Sequence, residues 1–287
     1  MPKIDATPDL YAALRTSGAR PEDLEQIITN SDPDTAARLR AVDQGLLRAI
    51  LRAGQGGPAI AALPGVLAYL DRQTPAPLFV PDVATSPSLC LLTNGEHPDM
   101  PAFSDRAFDA WFAAMDVPYG IGTYGEDRSV YRTAQFADAA SPERRTRHLG
   151  IDVFAPAGSP VHAPLHGTVR HVTYNADPLD YGHTLILEHD AEGAVFFTLY
   201  GHLGGTLPGL LSPGDPVAPG QLIAHLGDWH ENGGWAPHLH FQIMTDLLEQ
   251  AGGNFFGVGH NSLWDVWQAI CPDPNQILRL PEQAFHL

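Results

Sequence analysis

The spacing of apolar residues changes twice along the chain, and each change predicts a different kind of element. Up to about residue 75 the period is helical. The segment Asp9-Leu10-Tyr11-Ala12-Ala13-Leu14 is short and amphipathic, and Pro21-Glu22-Asp23-Leu24 opens a second helix with proline and acids in its first turn. Asp34 is a candidate cap for a longer helix through Leu51, with Ala37, Leu39, Val42, Leu46, Leu47 and Ile50 near helical spacing. Gly54 to Pro58 ends that helix, and Ile60 to Leu70 reads as one more, interrupted by Pro64. Nothing in this helical unit signals catalysis. From 73 to 147 the pattern is broken by Pro75, Pro77, Pro81 and Pro87. Asp105 to Met115 reads as a helix with Phe108, Trp111 and Phe112 toward a core, followed by the glycine- and tyrosine-rich run Pro118 to Tyr124. This stretch is expected to pack over the next as a collar or lid. Within it, Asn94-Gly95-Glu96-His97 reads as a solvated turn, with metal binding as the sharper alternative.

From about 148 to 245 the period is that of short β-strands. Gly167 to Val172, Gly182 to His189 and Val195 to Tyr200 are strands, and the Pro213-Gly214 and Pro219-Gly220 turns introduce two more. Strands at this density predict an antiparallel sheet or flattened barrel, so the chain as a whole reads as α+β. The remainder, 246 to 287, reads as a loop and a short helix, Trp264 to Ile270, against the sheet edge.

Three of the strand stretches carry polar, metal-competent residues on one face and apolar ones on the other. Period 2 puts His238, His240 and Gln242 opposite Leu239, Phe241 and Ile243. It likewise puts His148 and Asp152 together across Gly150, and Thr198, Tyr200 and His202 together. Two imidazoles on one strand face sit roughly 6.5–7 Å apart, so both reach one site, though not in the same role. The pattern points to a single zinc site on a sheet. The strand alone leaves open which of His238 and His240 is the ligand.

Composition narrows the partners. The 287-residue chain has a net charge of −17, and Lys3 is its only lysine. That balance argues against nucleic acid and against anionic membranes. Residues 1 to 20 lack a basic region followed by an apolar core, so no signal peptide is read and a cytoplasmic location is expected, unless export is unconventional. No apolar run approaches the ~20 residues that span a bilayer. Cys90 and Cys271, the only cysteines, form no zinc or redox motif and read as two core thiols. The Pro-Gly-Asp-x-Val rhythm from Pro213 also occurs in lipoyl and biotinyl carriers, but those need a hairpin lysine and none is here.

With these residues in hand a resemblance can be stated. His148-x-x-x-Asp152, Tyr200-Gly-His202-Leu203 and His238-Leu-His240-Phe241, in this order, resemble the M23 (LytM/lysostaphin-type) zinc metallopeptidases over roughly residues 146 to 245. Gly150, the Gly158-x-Pro160-Val161 turn and Gly227 agree with it. The resemblance implies Zn2+ held by His148, Asp152 and His240, and makes His202 and His238 the catalytic histidines. Two neutral imidazoles and one carboxylate would leave the site at a net +1 with a fourth position open to water or substrate. With the periodicities above, this gives a division into a helical N-terminal region (1–75), a linker or lid (76–145), the peptidase-like domain (146–250) and a C-terminal extension (251–287).

The sequence departs from the family pattern at Gly182-His183 and in the loop Asp228 to Ala236, which carries two tryptophans. His183, Trp229 and Trp235, with Tyr200, are therefore the candidates for a substrate groove, and His230 lies near enough to join them. For Tyr200 the plain alternative is packing. His189 closes a strand and reads as structural, and His162, His166, His171, His225, His260 and His286 read as surface or satisfied residues.

The expected activity is that of a zinc-dependent endopeptidase or amidase. Family members cut peptidoglycan cross-bridges or stem peptides, so the expected partner is a peptide or peptidoglycan-like substrate. The lack of an export signal makes an intracellular peptide the other candidate. The contrasting reading is a non-catalytic binding or regulatory module. Such modules usually lose metal ligands, and here all five positions are present.

Overall fold

The computed structural model describes residues 3–93, 97, 99–128 and 136–286. Its first helices are α1 (Leu10–Thr16), α2 (Leu24–Asn30), α3 (Pro33–Arg40), α4 (Gln44–Gly54) and α5 (Leu63–Arg72). The single helix expected from Asp34 to Leu51 is two. Asp32 caps α3 by accepting from the Asp34 and Thr35 amides, and Asp43 caps α4 by accepting from the Leu46 amide, so a second start is written into the middle of the run. Pro64 lies in the first turn of α5, where its missing N–H costs nothing, and so it begins that helix instead of interrupting it.

The strands are β1 (Ser88–Cys90), β2 (Tyr119–Gly122), β3 (Arg147–His148), β4 (Ile151–Phe154), β5 (Pro160–His162), β6 (Gly167–Asn175), β7 (Gly182–Ala191), β8 (Ala194–Leu203), β9 (Pro216–Val217), β10 (Leu222–His225), β11 (His238–Met244) and β12 (Val258–Gly259). Eight of them form one sheet in the order β1-β2-β4-β11-β8-β7-β6-β9. Every pair in it is antiparallel except β1 with β2. β1 and β9 do not meet, so the sheet is open and the flattened barrel does not form. Among the described residues four more α-helices follow: α6 (Ala107–Ala113), α7 (Leu207–Leu210), α8 (Trp264–Ile270) and α9 (Asn275–Leu278).

Each face of the sheet is buried. On one, Ile151, Val153, Leu239, Phe241 and Ile243 pack with Val66 and Leu70 of α5 and with the chain end around Ile277. On the other, Leu149, Ile186, Leu199 and Met244 share a core with α1, α4 and α8. The helical N-terminus therefore buries its apolar faces against the sheet itself. A third cluster, Leu91, Phe103, Phe108 and Phe154 with Trp229 and Trp235, attaches the segment around α6. The stretch 76–145 thus supplies two strands of the sheet as well as packing on it. Cys90 and Cys271 are buried and do not pair with each other. No helix among the described residues is long and apolar enough to cross a membrane.

Candidate metal centre

Register brings the candidate ligands together. β11 pairs with β4 so that His240 lies opposite Asp152, and with β8 so that His240 lies opposite Gly201. His148, at the end of β3, approaches across Gly150. A Cβ at Gly150 would sit 2.5 Å from His240 Cε1, so only glycine lets the two ligand-bearing segments close on each other. His148 Nε2 lies 3.1 Å from His240 Nδ1 and 3.3 Å from Asp152 Oδ1, and His240 Nδ1 lies 3.1 Å from the same oxygen.

The outward sides of the rings show where the protons are. His148 Nδ1 is 2.9 Å from the Thr123 carbonyl, which can only accept, so Nδ1 carries the proton. His240 Nε2 is 2.9 Å from Gln242 Oε1. Gln242 Nε2 donates to the Phe256 carbonyl at 3.1 Å and to Cys271 Sγ at 3.3 Å, which turns the amide oxygen toward His240. His240 therefore donates through Nε2. Two bare imidazole nitrogens and a carboxylate oxygen are left pointing at one another with no proton between them. Such a triangle is repulsive unless a cation sits beside it. Ligands about 2.0–2.1 Å from a tetrahedral zinc are about 3.3–3.4 Å apart, close to the three sides found here. Among the described residues these three form the one group of histidines and acids placed to share a metal ion.

His202 and His238 follow the same rule. His202 donates Nδ1–H to the Asn232 carbonyl at 2.8 Å, and His238 donates Nδ1–H to the Ala236 carbonyl at 2.7 Å. Their ring centres are 4.2 Å apart, and His238 Nε2 is 3.9 Å from Asp152 Oδ1. Both bare Nε2 atoms thus belong to rings beside the ligand cluster. Burial holds His202 well below the ordinary imidazole value, with His238 and His240 adding to the effect. Burial brings His238 down to about 4 against the pull of Asp152, and lowers His148 with help from Arg128. These rings are neutral near pH 7, the form that binds metal or takes a proton. Burial works to raise Asp152, but the His148 imidazole and Arg128 guanidinium outweigh it and keep the carboxyl well below the usual range.

Several site residues were missed in the sequence. Arg128 donates to Asp152 Oδ2 at 2.7 Å and to Glu126 Oε2 at 2.9 Å, leaving Asp152 Oδ1 to the imidazoles. Tyr181 packs its ring 5.1 Å from His240 and 5.6 Å from His202. The charged triplet Glu126-Asp127-Arg128 after a glycine-rich run was the available signal for Arg128 and its partner Glu126, because a ligating carboxylate needs a donor on its second oxygen. Asp152, His202, His238 and His240 open onto a cavity of about 320 Å³, walled also by Phe103, Arg128, Arg145, Tyr181, Trp235 and the segment Asn254–Val258.

The groove candidates divide. Trp235 lines the cavity, with its ring centre 6.3 Å from that of His202. Trp229 does not; its indole donates to Asp109 of α6 at 2.8 Å and stacks under Arg106, so it anchors the loop. Tyr200 is on the other face of the sheet, fully buried against Phe241. The expected common face of Thr198, Tyr200 and His202 fails because His202 has φ +62°, a left-handed kink that turns its side chain over. His183 stacks on Tyr174 away from the cavity, beyond a bulge in β7, and His230 is exposed near Asp228. His97 bonds the Cys90 carbonyl at 2.8 Å, and the neighbouring 94–96 lie outside the described residues.

Comparison with known proteins finds similarity to peptidases over part of the chain. An uncharacterized metalloprotease of Haemophilus influenzae is 33% identical over 121 residues, 40% of this chain and 23% of that protein. The chain thus spans under a quarter of the length of the curated relative it matches. A zinc containing peptidase from Vibrio cholerae is 34% identical over 35% of this chain and 28% of that one, with a TM-score of 0.29. The catalytic domain of the antimicrobial peptidase lysostaphin from Staphylococcus simulans is 22% identical over 54% of this chain and 96% of that one, with a TM-score of 0.34. The family model for peptidase family M23 matches residues 146–251, and over that span the resemblance carried by the three histidine motifs holds.

Proposed function

We propose that the protein is a zinc-dependent metallopeptidase in which His148, Asp152 and His240 hold the ion. The observation that carries this is the proton-free triangle of His148 Nε2, His240 Nδ1 and Asp152 Oδ1. A zinc bound there would lower the pKa of a water to about 7 and polarise a peptide carbonyl. The remaining work falls to the chain. Arg128 occupies Asp152 Oδ2 and so keeps the carboxylate from turning away from the imidazoles. Thr123 and Gln242 fix the two ligand tautomers.

His202 and His238 present bare Nε2 atoms, each held in place by a carbonyl on its far nitrogen. One accepts the proton of the attacking water, and the ring so charged returns it to the departing amine. The other, also bare at Nε2, accepts a hydrogen bond from that water's second O–H and orients it for attack. The proposed substrate is a peptide bond flanked by small groups, in peptidoglycan or in another peptide.

The test begins with metal analysis of the purified protein, expected to give one zinc per chain. Digestion of glycine-rich peptides and of peptidoglycan follows, with His240→Ala as the control that loses both metal and cleavage. Bound zinc with no hydrolysis of any peptide in a library would overturn the enzymatic reading.

A further inference from the structure

One end of the cavity carries negative charge that the chemistry above does not use. The two arginines of its lining face carboxylates of their own, Arg128 at Asp152 and Glu126 and Arg145 at Asp138. Asp177 and Asp180 also line it, and among the described residues neither stands in an ion pair. Asp177 is exposed and Asp180 half-buried. Asp180 is fixed in place, because its Oδ1 accepts from the Tyr181 amide at 2.7 Å and its Oδ2 from Asn254 Nδ2 at 2.9 Å. Burial pushes its carboxyl above the ordinary value, and Asp177 adds to that against the two hydrogen bonds. The two oxygens of a carboxylate accept about four bonds, so Asp180 has lone pairs left for the donors of a cation.

The same end holds an unused donor. The loop before His238 packs on this turn through Gly233, whose φ is +90° and whose carbonyl accepts from the Leu179 amide at 2.9 Å. A Cβ there would overlap the Asp180 carbonyl oxygen and lie 3.3 Å from Trp235 Cδ1, so the indole edge that carries Nε1 is at the Asp180 end. Trp235 is 8% exposed, and its buried N–H has no acceptor among the described residues. An indole only donates, so whatever completes it brings a lone pair. A peptide supplies that with any backbone carbonyl, and an ammonium group on the peptide supplies the opposite charge. The net charge of −17 draws cations to the whole surface, but at 0.15 M salt such a field is screened beyond about 8 Å, so a preference that persists there is local. We propose that Asp180, with Asp177 beside it, binds an ammonium group of the substrate, so that the cavity selects peptides carrying a free amine, and that Trp235 donates to a backbone carbonyl of the same peptide. This rests on the peptidase reading of the neighbouring centre. The ammonium is either the N-terminus of the peptide or an amine on a side chain.

The test is calorimetric titration at pH 7, where the amines are mostly charged, in about 0.15 M salt. It is run on the protein as purified and again after a chelator has removed metal, so that an amine held by an ion is told apart. Gly-Gly-Gly-amide is compared with its N-acetyl form, and acetyl-Gly-Lys-Gly-amide with the same peptide acetylated on the lysine. In at least one pair the amine should bind about five- to fiftyfold more tightly than its acetylated twin in both preparations, the range for a half-buried charged contact. The pair that discriminates identifies the source of the ammonium. Asp180→Asn should erase most of the preference and leave the acetylated twin bound as before, and Asp177→Asn should remove a smaller part. Trp235→Phe should weaken both twins by one common factor, about fivefold. Equal binding of amine and acetylated forms by the unaltered protein in both pairs overturns the inference. So does a preference that disappears with the metal, or one that survives in a folded Asp180→Asn protein. If that variant does not fold, the Asp180 carboxyl-carbon resonance of the unaltered protein decides, shifting with the amine and not with its twin if the inference holds. A Trp235→Phe protein that binds both twins as tightly as the unaltered one overturns the part given to Trp235. Because binding is read without turnover, a failure here is distinct from a failure of hydrolysis.

Discussion

His189 and His240 are both buried histidines on strands of one sheet, one on each face, with 3% and 4% of their surface exposed. Around His189 every polar atom has a complementary partner. Nδ1 donates to the His166 carbonyl at 2.6 Å, and Nε2 lies 2.8 Å from Thr198 Oγ1, which lies 3.1 Å from the Tyr200 hydroxyl. The ring stacks on Phe196. Around His240 the outward nitrogen is satisfied in the same way, but the inward one meets another bare nitrogen and a carboxylate oxygen. Burial and histidine content do not separate a packing cluster from a metal centre. What separates them is whether the protons suffice for the acceptors.

Three substitutions probe that contrast. The largest effect is expected from Gly150→Ala. The added methyl would lie 2.5 Å from the His240 ring, with the Phe241 carbonyl also within 2.9 Å, so the ligand triangle must open. Zinc occupancy should fall well below one per chain and peptide cleavage by at least about a hundredfold, the scale of loss from an ångström of misplacement. Full occupancy in the alanine protein would show that the triangle tolerates expansion. Gln242→Leu should act next. It keeps the volume and removes the acceptor that fixes His240. Competition against a chelator should report about ten- to a hundredfold weaker zinc binding.

His189→Leu should leave zinc binding and hydrolysis unchanged, and cost about 1–3 kcal/mol of stability from the acceptors and donors it strands. Its pH signature is specific. Burial takes His189 from the ordinary 6.5 down to about 4, so the unfolded chain binds the proton first as the pH falls. The stability this neutral ring supplies is whole above pH 6.5 and is lost on descending to about 4. Melting temperatures should therefore drop more steeply across that window in the unaltered protein than in His189→Leu. Parallel curves would mean that His189 does not titrate with unfolding.

The same contrast explains what could be read from the sequence. Alternation in 238–243 and 148–153 put two imidazoles and a carboxylate on one face, and the sheet keeps them there by register. The face of Tyr200 was misread because alternation assumes extended backbone, and His202 leaves it. The two loop tryptophans are equivalent in sequence. Only the helix around Asp109, some 120 residues earlier, distinguishes the anchor from the wall. Arg128 and Phe256 reach the site from segments outside the motif-bearing strands, and no local period announces such contacts. The second helix start at Asp43 was legible in principle, since an aspartate three residues before Leu46 is a capping signal.

Asp43 does more than start α4. Its Oδ2 also accepts from the Glu249 amide at 3.2 Å and from Gln250 Nε2 at 2.7 Å, and Gln250 is part of the cavity lining. The carboxylate that begins a helix near the front of the chain thus doubles as a pin for part of the cavity lining. Excising the region after residue 145 as a free-standing unit would release that pin and strip the cover from Leu149, Leu199 and Met244. The helices ahead of the sheet are part of the same machine, and shortened versions should be judged by solubility before they are judged by turnover.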